Sequence, residues 1–496
     1  MKSRILLGAA IAALVSGCAI TPKPISSSEM AMRAQQNAVD VTADQEPVGG
    51  EIDLYEAMAR ALKYNLDYKV EMMDEALKTR ELNLATFDML PQLVASGGYF
   101  GRSNYSGASS LSLLTRRQSL EPSTSSEKNI FSGDLTLSWD VLDFGLSYVR
   151  AQQKSDEVLI SMERRRKVAN RIVEDVRTAY WRAVSAERLL VKLEQLEGNV
   201  TTTLDNSERL AQRRLSAPLT ALTYQRELVE IQAEIRRLQR ELVISKAQLA
   251  ALMNLSPGTP FTLVLPERTK APPRVDAAGE DMMMTALRNR AELREVSYRQ
   301  RINRKELDAA LLSALPSFKA LIGVNVDSNS FLYNSNWAQY GARASWNLLN
   351  LFKIPAQKKA IRASDELLRQ RELALTMAVM TQVHVARARF GHLSTELETA
   401  EHQHAVQDKI MYQIRSGFKA GAMSQQTLLR EEMNTLVSEV KYDIAYADTQ
   451  NAYANLFSSM GIDEFAPEIT GRESVSNLRR AMSELWLKRE TALKLD

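Results

Sequence analysis

The chain has 496 residues, of which 45% are hydrophobic and 25% charged, an ordinary balance for a folded protein. Its 63 Lys and Arg nearly cancel its 60 Asp and Glu, which argues against a nucleic-acid binder. Its single cysteine excludes an internal disulfide and a thiolate metal cluster. Beyond the N-terminus nothing approaches the roughly 18–20 apolar residues of a membrane-spanning helix, so any crossing must be made by strands.

Lys2 and Arg4 precede an apolar run, Ile5 to Val15, of signal-peptide length. The order Val15-Ser16-Gly17-Cys18 resembles the bacterial lipoprotein signal, in which the cysteine becomes an acylated first residue. Ala19, in place of the aspartate tied to inner-membrane retention, extends that resemblance to an outer-membrane address. Loss of Lys2 and Arg4 with residues 1–17 leaves 61 cations against 60 carboxylates. Residues 18–50 are expected to form a tether with a short helix near 29–39.

Helical periodicity then runs from Glu51 to Leu90 and stops at Pro91. Period-two alternation marks strands at about 92–104 and 130–141, separated by a Ser/Thr-rich loop at 105–128. A helix from about Leu146 to Arg214, on the order of 100 Å long, turns at "RRLSAPLTA" into a second from Leu219 to Leu255. Their three-four spaced apolar seams predict an antiparallel hairpin. The Pro-rich segment 256–280 reads as a linker.

The second half repeats this order. Ala61, Leu62 and Pro91 fall 225 residues before Ala286, Leu287 and Pro316. Strands at about 317–327 and 337–347 precede a helix from Pro355 to Lys419, the turn "FKAGAMS", and a return helix to Met460. The chain thus divides into repeats at 51–255 and 281–462 and a C-terminal segment at 463–496. The last of these carries an amphipathic helix expected to brace the middle of the molecule.

Strands of about ten residues match a tilted membrane strand, and the dyad pattern suits a wall with lipid on one side and water on the other. Four strands cannot close a barrel, and an open edge in lipid leaves backbone groups unpaired. Further copies of the chain must complete the sheet; three would supply twelve strands.

This organisation resembles the TolC family of outer-membrane channel proteins, in its lipoprotein branch. The resemblance rests on "EAMARALKYN", the "LPQL" and "LPSF" closures, "LSWDVLDFG", "AYWRAV", "GFKAGAMS" and "NLFSSMGI", taken in order. It implies a mostly α fold with a membrane β-barrel portion. It further implies a homotrimer with one twelve-stranded barrel and one periplasmic helical tunnel, girdled by an equatorial belt. A periplasmic adaptor (membrane fusion) protein and an inner-membrane transporter would be the partners, for efflux or type I secretion. The barrel would sit in outer-membrane lipid, and no cofactor is expected besides covalent lipid on Cys18.

The two helical turns would form the periplasmic tip. Adaptor-contact candidates there are Arg214, Leu215, Ser216, Ala217, Phe418, Gly421 and Ser424. Some family members carry paired aspartates just past the second turn; the matching positions here are Thr427 and Arg430. These are the gate and selectivity candidates, without the acidic constriction. Arg430 either faces inward and favours anions or is a surface cation. Met433 and Asn434 offer it no carboxylate, leaving Glu227 as the realistic partner.

His384, His392, His402 and His404 read as solvated helix residues, "RRRK" at 164–167 as a solvated face, and Met282–Met284 as packing. With no phosphate loop, nucleophile elbow or metal-ligand motif, no enzyme is expected. The alternative from another class is a non-conducting, lipid-anchored periplasmic coiled-coil scaffold.

Overall fold

The computed structural model describes residues 22–43, 45–119, 121–212, 218–256, 258–266, 268, 275, 278–462 and 472–492. Helix α1 (Ser27–Asp40) starts where the Ser26 hydroxyl accepts from the Glu29 N–H at 3.1 Å. The helical run expected from Glu51 to Leu90 is instead a two-residue strand, β1 (Glu51–Ile52), and two helices, α2 (Leu54–Tyr64) and α3 (Leu66–Phe87). Asn65 divides the helices. Its extended backbone ends α2, and its carboxamide oxygen accepts from the Tyr68 N–H at 3.2 Å and caps α3.

Strands β2 (Gln92–Gly101) and β3 (Asn129–Asp140) follow. The segment between them is not wholly loop: antiparallel bridges at Ala108–Ser123 and Leu111–Gln118 extend the hairpin beyond the strands. Helix α4 (Val141–Gln212) has 72 residues. It begins earlier than Leu146 because the Asp140 carboxylate accepts from the Leu142 and Asp143 N–H groups. The return helix α5 (Pro218–Leu252) ends at Asn254, which adopts a left-handed conformation. The 256–280 segment contains a short strand, β4 (Thr262–Leu263), paired in parallel with β1.

The second half repeats the first almost length for length. Helices α6 (Gly279–Asn289) and α7 (Ala291–Leu312) have 11 and 22 residues, as do α2 and α3. Strands β5 (Ser317–Asp327) and β6 (Asn336–Ser345) lead into α8 (Leu349–Lys419), with 71 residues, and α9 (Gln425–Met460), with 36. Pro355, the expected start, lies inside α8, because the Asn347 side chain accepts from the Leu349 N–H and opens the helix there. Helix α10 (Val475–Ala492) closes the described chain.

The long helices organise the packing. Helix α4 lies against α3 and α7 in its first half and against α5 and α9 in its second. Helix α8 lies against α7 and then α9. In the far half, Leu189, Leu193 and Val200 of α4 interlock with Leu228 and Ile235 of α5 and Leu429 and Met433 of α9. Each such fully buried aliphatic side chain contributes about 2 kcal/mol. Val176, Ala179 and Ala183 lie in the core beneath the middle belt, together with Ile52, Met58, Leu478 and the end of α5. Among the described residues no helix is long and apolar enough to cross a membrane.

Candidate functional site

The four longer strands form one antiparallel sheet in the order β2-β3-β5-β6, with β2 and β6 as open edges. The register aligns their alternation. Leu93, Ala95 and Tyr99 stand opposite Leu137, Leu135 and Phe131. Leu135 and Leu137 in turn face Val324 and Ile322, and Ile322 faces Tyr340. Because side chains alternate across a strand, these positions share one face, and nearly all are apolar. The other face carries Asp134 opposite Asn325 and Lys319 opposite Arg343. A one-residue slip in any strand would mix the faces. The apolar face is bare: Leu93, Ile322 and Tyr340 are 64%, 58% and 89% exposed. At its helical end, Trp139 meets Phe144 edge-on at 5.6 Å, and the Trp346 indole donates to the Ala314 carbonyl at 2.9 Å. Aromatic side chains of this kind suit a membrane–water boundary.

At the opposite end, α8 turns into α9. Gly421 has φ +72°, and the bonds Ala422 N–H to Gly417 O (2.9 Å) and Gly421 N–H to Phe418 O (3.0 Å) form a Schellman cap. The Ser424 hydroxyl then accepts from the Thr427 N–H at 3.1 Å and caps α9. Thr427 is thereby engaged: its hydroxyl lies 3.0 Å from that of Ser424. Phe418 remains 37% exposed. Arg430 forms an ion pair with Glu227 of α5, which also accepts from Gln426. These two bonds hold the Glu227 carboxyl below the usual range. Gln425 adds a link to Thr203 of α4 at 3.1 Å. Arg214, Leu215, Ser216 and Ala217 of the first turn lie outside the described residues, as does Cys18.

A wall of four strands, unclosed, on two repeated helical hairpins can be compared with solved structures. CusC superposes with a TM-score of 0.63 at 18% identity, over 84% of this chain and 95% of its own. The outer-membrane channel OprN gives 0.63 at 15%, over 85% and 95%. The CmeC outer membrane channel of Campylobacter jejuni gives 0.63 at 13%, over 94% and 97%. The chain has the fold of the TolC-family outer-membrane channels. No family model matches the sequence and no curated protein matches it, so the likeness lies in the fold.

Within this TolC-like frame the middle belt holds groups the sequence reading missed. Asp443 of α9 is buried between Arg188 of α4 and Arg268 of the linker. Burial lifts its carboxyl above the ordinary range although both cations oppose the shift. Burial pushes the neighbouring Glu439 the same way, but Lys192 and Arg268 hold it below. The "RRRK" run is a solvated face only in part: Lys167 is mostly exposed, but the three arginines are engaged. Arg165 pairs with Glu75 at 2.9 Å, Arg164 with Glu295 at 3.4 Å, and Arg166 donates to the Gly461 carbonyl at 2.7 Å. Nor is His404 solvated: it stacks on Tyr442 and its Nδ1 lies 3.1 Å from the Ser438 hydroxyl. His384, His392 and His402 are exposed. Met282 is buried among Val379, Val383 and Phe457.

The end of the tether is bound rather than free. Arg60 donates to the carbonyls of Glu46 and Pro47, and Lys63 pairs with Glu46 at 2.6 Å. Helix α10 packs on α2, and its Trp486 ring lies over Arg177 and beside Tyr453. No sequence pattern announces these contacts, and those of α10 with α2 and Arg177 join residues hundreds of positions apart.

Proposed function

We propose that three copies of this chain close a twelve-stranded barrel in the outer membrane and a helical tunnel beneath it. The assembly is a passive exit duct that docks a periplasmic adaptor and an inner-membrane transporter at its helical tip. The carrying observation is the register that gathers the apolar positions of all four strands on one bare face while leaving both sheet edges unpaired. In lipid, such a sheet is viable only when its edges are closed by other copies. A helical stripe supports the same assembly. Val70, Met73, Leu77 and Leu84 of α3 are 54–67% exposed, at the three-four-seven spacing of a helix–helix seam. A ring of copies covers it.

The duct itself catalyses nothing; its partner supplies the energy. The neighbours that share the fold are channels. Tip contacts to the adaptor fall to Arg214–Ala217, Phe418, Gly421 and Ser424, and Thr427 and Arg430 border the entrance. Lipid on Cys18 serves delivery and assembly, since the strands themselves insert. Purified protein in a planar bilayer tests the reading: discrete conductance steps are expected, whereas a trimer that inserts without conducting would establish the scaffold instead. Cys18→Ser on a retained export signal is expected to insert and trimerise; failure of both would make the lipid essential.

A further inference from the structure

Where α9 ends and α7 begins, a cavity of about 430 Å³ opens between α4 and α8. Five cations line it, against the carboxylates of Glu174 and Glu292. Two of the five are structural. Arg166 donates to the Gly461 carbonyl at 2.7 Å, and Arg290 donates to the Ser458 carbonyl at 3.2 Å, so both satisfy the end of α9. The other three are Lys167, Arg171 and Arg389. Lys167 reaches Glu292 only at 3.8 Å, and Arg290 already engages both oxygens of that carboxylate at 3.1 Å. Arg171 meets Asp67 at 3.3 Å with both side chains mostly exposed, a pairing worth little in water. Arg389 makes no ion pair among the described residues. Glu174 is held by Asn455.

The cavity faces away from the belt. On α9 its lining residues are Asn455 and Ser458, whereas Tyr453 and Phe457 turn toward Trp486 of α10. On α8 Thr381, Gln382, Val385 and Arg389 line it together with Ala386, which is shared with the core where Val379 and Val383 pack with Met282 of α6. The belt elements thus lie on one face of the helical layer and the cavity opens on the other.

We infer that this cavity is a binding station for oxyanion groups, such as sulfonate, phosphate or carboxylate, carried by small solutes passing along the tunnel. The inference rests on the duct reading, which turns the belt outward and the cavity toward the lumen. Three such stations would ring the duct at belt height. Guanidinium groups bind pairs of oxyanion oxygens through parallel, charge-assisted hydrogen bonds, and the cavity admits a solute of drug size.

The test is binding of a fluorescent pyrene trisulfonate to the full chain in detergent, followed by anisotropy. Saturable binding that weakens with added salt is expected. Arg389→Gln with Lys167→Gln should weaken it about tenfold or more, and Thr381→Glu, which adds a carboxylate at the rim and removes no cation, should do the same. Arg236→Gln with Arg237→Gln, on α5, should leave it unchanged. Absent binding in the wild type, or equal losses in the α5 control, would overturn the station. The readout needs no pore: a channel that conducts yet fails to bind the probe loses the station alone, and one that binds it without conducting loses the duct.

Discussion

In the first half of the chain Asn65 joins α2 to α3; in the second, Arg290 joins α6 to α7. Helix lengths on either side are identical, yet the joints work differently. Asn65 caps its own helix. Arg290 makes no side-chain cap; it pairs with Glu292 in the first turn of α7 and reaches outward to Gln382 and the Ser458 carbonyl. The helix ends differ in the same sense. Both α5 and α9 finish in left-handed Schellman caps, at Asn254 and Gly461. The Asn254 side chain donates to the Val41 carbonyl of the N-terminal strap. At Gly461 there is no room for a side chain, since a Cβ would lie 2.9 Å from the Asn289 carbonyl carbon and 3.0 Å from the Arg290 nitrogen. A duplicated frame has kept its dimensions while one joint became self-sufficient and the other became a contact between distant elements.

The largest effect should separate the two caps. Gly461→Ala combines a left-handed backbone with a backbone clash and is expected to cost about 3 kcal/mol. Asn254→Ala meets the left-handed penalty and loses one exposed hydrogen bond, for about 1–2 kcal/mol. Thermal unfolding of the purified protein in detergent, followed by circular dichroism, measures both. Equal losses would mean that the close approach at Gly461 does not distinguish the halves.

A smaller effect tests the joints. Asn65→Ala removes a helix cap, worth about 1 kcal/mol, and should speed amide exchange at the start of α3. Arg290→Ala removes no cap, so exchange at the start of α7 should change little while that at the end of α9 rises. Faster exchange at the start of α7 would show that Arg290 stabilises its own helix after all.

Much of this frame was legible in the sequence because it is periodic. The period-two runs located all four strands to within three residues, and the 225-residue offset from Ala61 to Ala286 announced the repeat. Non-periodic features were not legible. Asn65 interrupts a pattern that reads as one helix, since a capping residue at a bend leaves the apolar spacing on both sides intact. The roles of "RRRK" and His404 depend on partners from other helices, and local composition cannot name them. Arg430 shows the boundary well: no carboxylate lies one helical turn from it on α9, so a partner must come from another helix, and the ion pair is with Glu227.

That pair supplies the smallest and most specific prediction, because it links the ends of the two repeated hairpins. Glu227 lies on the first return helix, Gln426 and Arg430 on the second. Their hydrogen bonds depress the Glu227 pKa from its ordinary 4.5. A carboxyl with a lower pKa in the folded than in the unfolded state lends stability that is present above the ordinary value and is lost as pH falls through the depressed one. Glu227→Gln should therefore cost less than about 1 kcal/mol near pH 7, the scale of a partly exposed pair. The difference between mutant and wild type should shrink as the pH falls below the ordinary 4.5 and through the depressed value. Unfolding midpoints measured across that range test the link. Parallel profiles would mean that protonation of Glu227 does not loosen the tip, and the two hairpins would then be held together there by the buried contacts of Leu228, Leu429 and Met433 and by the Gln425–Thr203 bond.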